Sequence, residues 1–312
     1  MMKIVRPIVC CLLILLAWPA SSRAVTVLSG SLTSTGSDTL ANLLTGWGMD
    51  FNRRFPEVGV QIQASGSATA AAALTAGTTQ LGPMSRPMTE PEVDAFRRHY
   101  GYPPSAVPVA LDAVVILVNE DNPLQSLPLS QLDGIFSITH SCGPSPALKR
   151  WGDLGLKGHL AGQTLLRYGR NSASGTYGYF RQRVLCGGDL LASVNELPGS
   201  VSVAQAVAGS VNAIGYAGMG FHASGVKILA LTDGQGKTVQ PDDATLLNGE
   251  YPLVRYLYIY VNKAPDRPLE PITAAFFDQI LSPGGQLRAR QNGYRPLPEA
   301  VRLQARRNIG LE

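Results

Sequence analysis

The sequence has 312 residues, of which 45% are hydrophobic and 15% are charged, and its formal net charge at pH 7 is +4. This balance is typical of a globular chain with a substantial core. Without Lys3, Arg6 and Arg23, which precede the expected mature chain, 23 basic residues face 22 acidic ones. A chain so close to neutrality has no charge feature that indicates a nucleic-acid or membrane-surface partner, so neither is expected.

The first 24 residues have the pattern of a secretory signal peptide. Two basic residues precede an apolar run over residues 8 to 18, and the segment Ser22-Arg23-Ala24 has small residues where a signal peptidase cleaves. The apolar run is too short to cross a bilayer as a mature helix. We therefore expect cleavage near Ala24 and a mature protein that is periplasmic or secreted.

The mature sequence alternates strands with helices. After a short strand from residue 25, the patterns predict helices over residues 40–55, 66–77, 89–101, 129–137, 174–185, about 203–207 and from 270 up to Pro283, and strands over 58–63, 107–119, 164–170, 210–220 and 251–262. Thr89 and Glu92 form a capping box at the third of these helices, and Pro283 with the two glycines after it is expected to end the last. Strands that alternate with helices predict an α/β fold.

Two long apolar strands, near residues 107–119 and 251–262, bracket a middle segment of the chain. If they cross between two lobes, the chain builds half of one lobe, all of a second, and then completes the first. We therefore expect a signal peptide over residues 1–24, a discontinuous first lobe over 25–110 and 255–312, and a second lobe over 111–254.

Only two cysteines, Cys142 and Cys186, remain after cleavage. In an oxidising compartment a disulfide between them is the favoured reading, and two free thiols are the alternative. Two cysteines and four scattered histidines have no ligand spacing, so neither a metal site nor a cofactor is expected.

Three segments share one composition: "STGSDT" at 34–39, "ASGSAT" at 64–69 and "RNSASGT" at 170–176. Each lies between a predicted strand and a predicted helix. A helix N-terminus has free N–H groups and a partial positive charge, and hydroxyls add neutral donors, so such a turn suits a small oxyanion. Each turn alone is explained by helix capping, but three of them together favour an anion site.

Three charged residues near these turns have more than one reading. Arg170 either binds two oxygens of an anion in a fork or forms an ion pair at the end of a strand. Arg86 either contacts the anion or braces the fold through an acid. Asp38 is either the N-cap of the first helix or the acceptor for a proton carried by the ligand, which would select phosphate over sulfate.

Several segments occur in a characteristic order along nearly the whole mature chain: "GSDTL", "SGSATA", "LGPMSRPMT", "RNSASGT", "IGYAGMGF", "YPLVRYLYIYVN" and "FFDQILSPGGQ". In this order they resemble the PstS family, the periplasmic phosphate-binding components of ABC transporters. The fourth segment is similar to the family's R-x-x-x-SGT motif. The resemblance implies a type II periplasmic-binding-protein fold, with two α/β lobes, mixed sheets flanked by helices, two crossover strands and the ligand in the cleft.

Carried over position by position, the resemblance implies a set of phosphate-binding residues: Ser37, Asp38, Thr39, Gly66, Ser67, Ser85, Arg86, Arg170, Ser174, Gly175 and Thr176. One position departs from the family pattern, because Arg86 stands where the best-known members have the acid that accepts the ligand's proton. Selectivity for phosphate over sulfate then depends on whether Asp38 takes over that role. Arg86 either pairs with Asp38 or contacts the ligand.

The resemblance implies a monomeric, non-enzymatic binding protein that captures inorganic phosphate, or a similar tetrahedral oxyanion, and delivers it to ABC permease subunits. A secreted oxyanion-binding factor that acts in adhesion or sensing is the alternative. An exported phosphatase is a weaker alternative, because the turns supply hydroxyls but no histidine that could act as a base.

Overall fold

The computed structural model describes residues 28–143, 146–221 and 223–311. The expected signal peptide, its cleavage site and His222 lie outside these residues. The strands are β1 (Gly30–Thr35), β2 (Val58–Gln63), β3 (Gly82–Met84), β4 (Ser105–Asn119), β5 (Ser126–Pro128), β6 (Leu166–Arg170), β7 (Val194–Leu197), β8 (Ala213–Gly218), β9 (Val226–Ile228), β10 (Ala230–Thr232), β11 (Thr238–Val239) and β12 (Val254–Val261). The helices are α1 (Ala41–Arg54), α2 (Ser67–Thr75), α3 (Glu90–Tyr100), α4 (Leu129–Phe136), α5 (Gly175–Val184), α6 (Ser200–Ala208), α7 (Asp243–Leu247), α8 (Pro271–Ile280), α9 (Pro283–Gln291) and α10 (Glu299–Asn308), with two short 3₁₀ helices between α4 and β6.

The strands of the described residues form one large mixed sheet and two small ones. The large sheet has the order β3-β12-β4-β8-β6-β7, with β9 also pairing with β4. Strands β1 and β2 pair in parallel, and β11, β10 and β5 form the third sheet. Helices pack on the strands, for example α1 on β2, α2 on β3 and α6 on β8. The predicted α/β architecture is confirmed.

Strand β4 belongs to two parts of the molecule. Its first half pairs antiparallel with β12, and its second half, from Val114 to Asn119, pairs with β8 and β9. From Val109 onward the strand is buried at every position, which explains its unbroken apolar sequence. Both long strands predicted from the sequence are therefore present, side by side.

The buried hydrophobic side chains form separate clusters. One uses residues between positions 113 and 253, and a second uses residues between 32 and 110 and between 257 and 309. A smaller third cluster joins α2 and α3 to Tyr260 of β12. The first two clusters meet along β4 and β12, where the sequence crosses from one to the other.

The helix predicted from residue 270 is present as α8 and ends at Ile280, before Pro283, as expected. That Pro283 also begins a second helix, α9, was not predicted from the sequence. The Ser282 side chain accepts a hydrogen bond from Gly285 N, and Pro283 occupies the first turn, where a proline costs no helical hydrogen bond.

Other local predictions have mixed outcomes. The capping box of Thr89 and Glu92 is present at α3, and Cys142 and Cys186 form a disulfide. Phe180 and Val184 of α5 are buried, and Tyr177 is half-buried. Within the described part of the chain, no helix is both long and apolar enough to cross a bilayer.

Candidate anion-binding site

The three turns predicted from their shared composition come together in space. They connect β1 to α1, β2 to α2 and β6 to α5. The N–H of Gly66 donates to the carbonyl of Gly36 at 2.8 Å, and the N–H of Ala68 donates to the carbonyl of Ala173 at 3.1 Å. These main-chain bonds join the first turn to the second and the second to the third. The N-terminal ends of three helices therefore lie at one site.

Six hydroxyl groups that follow the ends of β1, β2, β3 and β6 are removed from solvent. Their residues, each no more than 6% exposed, are Ser37, Thr39, Ser67, Ser85, Ser174 and Thr176. The hydroxyl oxygens of Thr39 and Thr176 lie 3.1 Å apart, and Ser67 Oγ accepts a hydrogen bond from Ser85 N at 3.0 Å. Burial of so many hydroxyls requires acceptors or donors inside the site.

Helix capping explains only one of the three turns. Ser174 caps α5, because its Oγ accepts hydrogen bonds from the N–H groups of Thr176 and Tyr177. The N-caps of α1 and α2 are Leu40 and Gly66, and neither helix has a side-chain cap bond. The Ser37 hydroxyl is buried and has no hydrogen-bond partner among the described residues. The Ser37 hydroxyl is thus available for a ligand, and the hydroxyls of Thr39 and Ser67 have partners in neighbouring segments and not in helix capping.

Two glycines allow the turns to approach each other. Gly66 has φ +110°, and a Cβ there would lie 2.5 Å from the carbonyl oxygen of Ala173. A Cβ at Gly175 would lie 2.2 Å from Ser67 Oγ and 2.5 Å from Ser85 Oγ. Any larger residue at either position would separate the turns.

Arg170 is fully buried at the end of β6 and is held mainly by protein acceptors. Its Nη2 donates to Asp38 Oδ1 at 2.6 Å and to the carbonyl of Pro198 at 2.7 Å. Its Nη1 donates to Ser200 Oγ at 3.0 Å, and its Nε donates to the carbonyl of Leu197 at 3.3 Å. Since a guanidinium has five N–H groups, one on Nη1 remains for a further acceptor. Of the two readings from the sequence, the ion pair is present, and the protein leaves no free two-pronged fork.

Asp38 is the acid of that ion pair. Its carboxylate uses Oδ1 for Arg170, and the structure has no hydrogen bond from a described residue to Oδ2. Its side chain does not cap α1, so the reading of Asp38 as an N-cap is wrong. A carboxylate oxygen at the edge of a donor-rich site is a suitable acceptor for a proton on an anion.

Arg86 is turned towards another acid. Its two terminal nitrogens donate to the two carboxylate oxygens of Glu92, each at 2.7 Å. Burial opposes the ionisation of Glu92, but hydrogen bonds from Arg86 and Thr89 outweigh it and hold the pKa of Glu92 below its ordinary value. Arg86 therefore braces the start of α3, and its partner is not Asp38.

Two charged residues behind the site are missing from the sequence-based set. Asp112 of β4 and Arg255 of β12 face each other across the antiparallel ladder and form a buried ion pair, with Arg255 Nη2 and Asp112 Oδ2 2.6 Å apart. The same Nη2 donates to Thr176 Oγ1 at 2.9 Å. The sequence carried a signal for this pair, because each long apolar strand contains a buried charge, and the two charges have opposite signs.

Tyr294 and Ser200 are also missing from that set. The hydroxyl of the buried Tyr294 donates to the carbonyl of Thr39, and a Cβ at Gly220 would overlap the Tyr294 ring. Burial raises the pKa of Tyr294 above its ordinary value, so this phenol remains a donor. A crevice of about 210 Å³ borders Asp38 and is lined in part by Ser200, Gly218 and Tyr294.

Comparison with known proteins identifies relatives that match most of the chain. A family model described as a PBP superfamily domain matches residues 21–283. The phosphate-binding protein PstS of Pseudomonas aeruginosa is 51% identical over 284 residues, which cover 91% of this chain and 88% of that protein.

Solved structures with lower identity have the same fold. An ABC-type phosphate transport receptor from Vibrio cholerae superposes with a TM-score of 0.67 at 21% identity, over 86% of this chain and 100% of the receptor chain. A phosphate-binding protein from Stenotrophomonas maltophilia superposes with a TM-score of 0.65 at 14% identity, over 89% of this chain and 94% of that chain. The fold is thus that of the type II periplasmic binding proteins.

Proposed function

The chain belongs to the PstS family of phosphate-binding proteins within the PBP superfamily, and on this premise we propose that it captures inorganic phosphate in the buried site between its three turns. The observation that carries the proposal is the meeting of three helix N-termini with six buried hydroxyls around the Arg170–Asp38 pair. Helix ends and hydroxyls stabilise an oxyanion through dipoles and hydrogen bonds.

The proposed site would bind its anion mainly through neutral hydrogen-bond donors. Arg170 and Asp38 neutralise each other, so the pair adds no net charge, and the remaining groups are neutral donors. The proposed ligand contacts come from the hydroxyl and main-chain donors of Ser37, Thr39, Ser67, Ser85, Ser174, Gly175 and Thr176, with one N–H of Arg170 and Oδ2 of Asp38. Gly66 has no donor left for the ligand, because its N–H is bonded to the carbonyl of Gly36, and it serves the site by letting the turns approach each other. Arg86 can contact the ligand only if its guanidinium leaves Glu92. Replacing Arg86 therefore tests separately whether it belongs to the ligand-binding residues.

Asp38 gives the site a means of selecting phosphate. Monohydrogen phosphate carries a proton that a carboxylate oxygen can accept, whereas sulfate has none at neutral pH. In a buried site an unprotonated oxygen facing a carboxylate is repelled, so the site is expected to favour phosphate.

We propose that two lobes enclose the ligand, the first over residues 25–110 and 255–312 and the second over 111–254. The separate hydrophobic clusters support this division. The contacts that join the proposed lobes include the ion pair between Asp38 and Arg170, the hydroxyls of Thr39 and Thr176, and the main-chain bond from Ala68 to Ala173. They correspond to a closed arrangement, which a ligand favours by binding it more tightly than an open one.

The biological role follows from the family. We propose that the mature chain is an exported monomer that presents phosphate to the permease subunits of an ABC transporter, after loss of the signal peptide. Catalysis is not part of this proposal, because no described hydrogen bond links a hydroxyl of the site to a histidine that could serve as a base.

Calorimetric titration of the mature chain with phosphate and with sulfate tests the proposal. Saturable binding of phosphate, with weaker or no binding of sulfate, is expected. Arg170→Ala is expected to remove binding, because it leaves Asp38 as an unpaired carboxylate in the site. Absence of phosphate binding by the unmodified chain would contradict the proposed function, and hydrolysis of a chromogenic phosphate ester by the pure protein would restore the enzyme alternative.

A further inference from the structure

Helix α5 has a glycine face that meets the first proposed lobe. Gly175 and Gly178 are three residues apart, so they lie on the same side of the helix. A Cβ at Gly175 would lie 2.5 Å from Ser85 Oγ, and a Cβ at Gly178 would lie 2.9 Å from Arg86 Cδ and 3.0 Å from its Nε. The consecutive residues Ser85 and Arg86 therefore lie along this face, and Gly178 extends the contact between the two proposed lobes beyond the three turns.

Gly178 is an unfavourable residue for the interior of a helix. Its N–H donates to the carbonyl of Ser174 at 3.1 Å, and its φ is not positive, so an alanine could adopt the same backbone. A glycine destabilises a helix relative to alanine, because it loses more conformational freedom on folding. The helix itself thus gives no reason for a glycine at this position, whereas the close approach of Arg86 does.

The Arg86 side chain is fixed beside Gly178. Its two terminal nitrogens donate to the two carboxylate oxygens of Glu92, each at 2.7 Å. The two side chains are 14% and 20% exposed, and a two-pronged pair of this kind holds an arginine in one orientation. The main chain before Arg86 is held as well, because Ser85 N donates to Ser67 Oγ at 3.0 Å.

We propose that Arg86 is a rigid stop on the first proposed lobe and that Gly178 is its seat on the second, so that this pair sets how closely the lobes approach around the anion. Both are positioning residues in this role, and neither contacts the ligand. The inference rests on the proposed phosphate site and deepens it. A separation larger by about 0.5 Å would lengthen hydrogen bonds from both lobes to a shared anion beyond their usual range.

A methyl group at position 178 would press against the stop. Its distance of 2.9 Å from Arg86 Cδ is shorter than a van der Waals contact of about 3.5–4.0 Å. Because Glu92 holds Arg86, the overlap is relieved by separating α5 from residues 85–86. The closed arrangement then becomes less favourable, and a ligand that needs it binds more weakly. Removal of the Arg86 side chain leaves room for the methyl group, so binding should recover.

The experiment is a calorimetric titration of four chains with inorganic phosphate: the unmodified protein, Arg86→Ala, Gly178→Ala and the variant with both changes. Gly178→Ala should weaken phosphate binding by about tenfold, whereas Arg86→Ala and the double variant should both stay within about threefold of the unmodified protein. Gly284→Ala is the matched control and should leave the affinity unchanged. It adds the same methyl group to a helical glycine of α9, where Ser282 Oγ, at 3.7 Å, leaves room for it.

Thermal unfolding of the same chains tests whether the glycine serves the helix or the stop. Gly178→Ala should not lower the unfolding midpoint in the Arg86→Ala background, because alanine suits a helix better than glycine. A lower midpoint there would overturn the proposal, since the glycine would then serve α5 itself. An affinity loss that persists in the double variant, or a Gly178→Ala affinity equal to that of Gly284→Ala, would also overturn it. Failure of the unmodified chain to bind phosphate would instead contradict the proposed function and, with it, this inference.

Discussion

The Asp38 carboxylate accepts a hydrogen bond from Arg170 Nη2 at 2.6 Å, although 132 residues separate the two along the chain. Asp38 precedes α1 and Arg170 ends β6, so the ion pair links the two proposed lobes directly beside the site. The pair cancels its own charge and leaves one carboxylate oxygen and one N–H group for a ligand. On the proposed function, we expect an anion to be recognised by the position of its proton rather than by net charge.

Asp38→Asn should reduce the selectivity for phosphate over sulfate by about tenfold or more, because the amide lacks the charge that repels an unprotonated anion. Paired titrations with the two anions measure the ratio. Asp266→Asn, at an exposed position, is the control. Equal affinity of the unmodified protein for both anions would refute the role of Asp38 as the proton acceptor.

Arg86→Ala should change the phosphate affinity by less than about threefold and should lower the free energy of unfolding by about 1 kcal/mol, because Arg86 binds Glu92 at the start of α3. Glu92→Gln should cost a similar stability and spare binding. Chemical denaturation and calorimetry give the two quantities. A tenfold loss of affinity in Arg86→Ala alone would mean that Arg86 contacts the ligand after all.

Gly175→Ala should weaken phosphate binding by more than about tenfold, because its Cβ would lie 2.2 Å from Ser67 Oγ and force α5 away from α2. Gly162→Ala is the matched control, since a Cβ there has no atom within 4 Å. Both variants are compared by calorimetry after their folding is checked by circular dichroism. Equal affinities in the two variants would show that this close approach is unnecessary for binding.

Much of the fold could be predicted from periodicity. Strand β2 and helix α1 were predicted to within a residue or two, because their apolar positions recur at the period of the element and one face is buried. Short strands such as β9 and β11 were not predicted, since two or three residues cannot establish a period. Helix α9 was not predicted, because a proline after a helix indicates only the end of that helix, whereas Ser282 also caps a second helix that begins at Pro283.

The candidate site was predictable where composition repeats. The three turns share glycines and hydroxyls, so the sequence itself indicated that they meet. The partners of the charged residues were not predictable, because ion pairs depend on distances across the fold: Asp38 binds Arg170, and Arg86 binds Glu92. In the sequence, Arg255 and Asp112 are each a single charge within an apolar strand. They form a pair because the register of β4 and β12 places them opposite each other, and the sequence does not show that register.

Replacing both cysteines by alanine should lower the free energy of unfolding by about 2–4 kcal/mol, because the disulfide closes a loop with a sequence separation of 44 residues. Phosphate affinity should remain within about threefold, since Cys186 follows the C-terminal end of α5 and the site lies at its N-terminal end, roughly 15 Å away. Urea denaturation of the variant, with reduced wild-type protein as the comparison, measures the stability. A large loss of affinity would indicate that the disulfide positions α5 for binding.

The contact between α1 and α9 should make stability depend on acid pH. Arg288 donates to both oxygens of Asp50, at 2.8 and 2.7 Å, and holds the pKa of Asp50 below its ordinary value. A carboxyl group with a depressed folded-state pKa stabilises the protein above its unfolded pKa of about 3.9, and the contribution is lost as the pH falls through the folded value. Asp50→Asn should therefore cost about 0.5–1 kcal/mol near neutral pH and progressively less in acid. Urea titrations at descending pH, with the exposed pair variant Asp94→Asn as control, follow this difference; a pH-independent cost would mean that packing, not charge, holds α1 to α9.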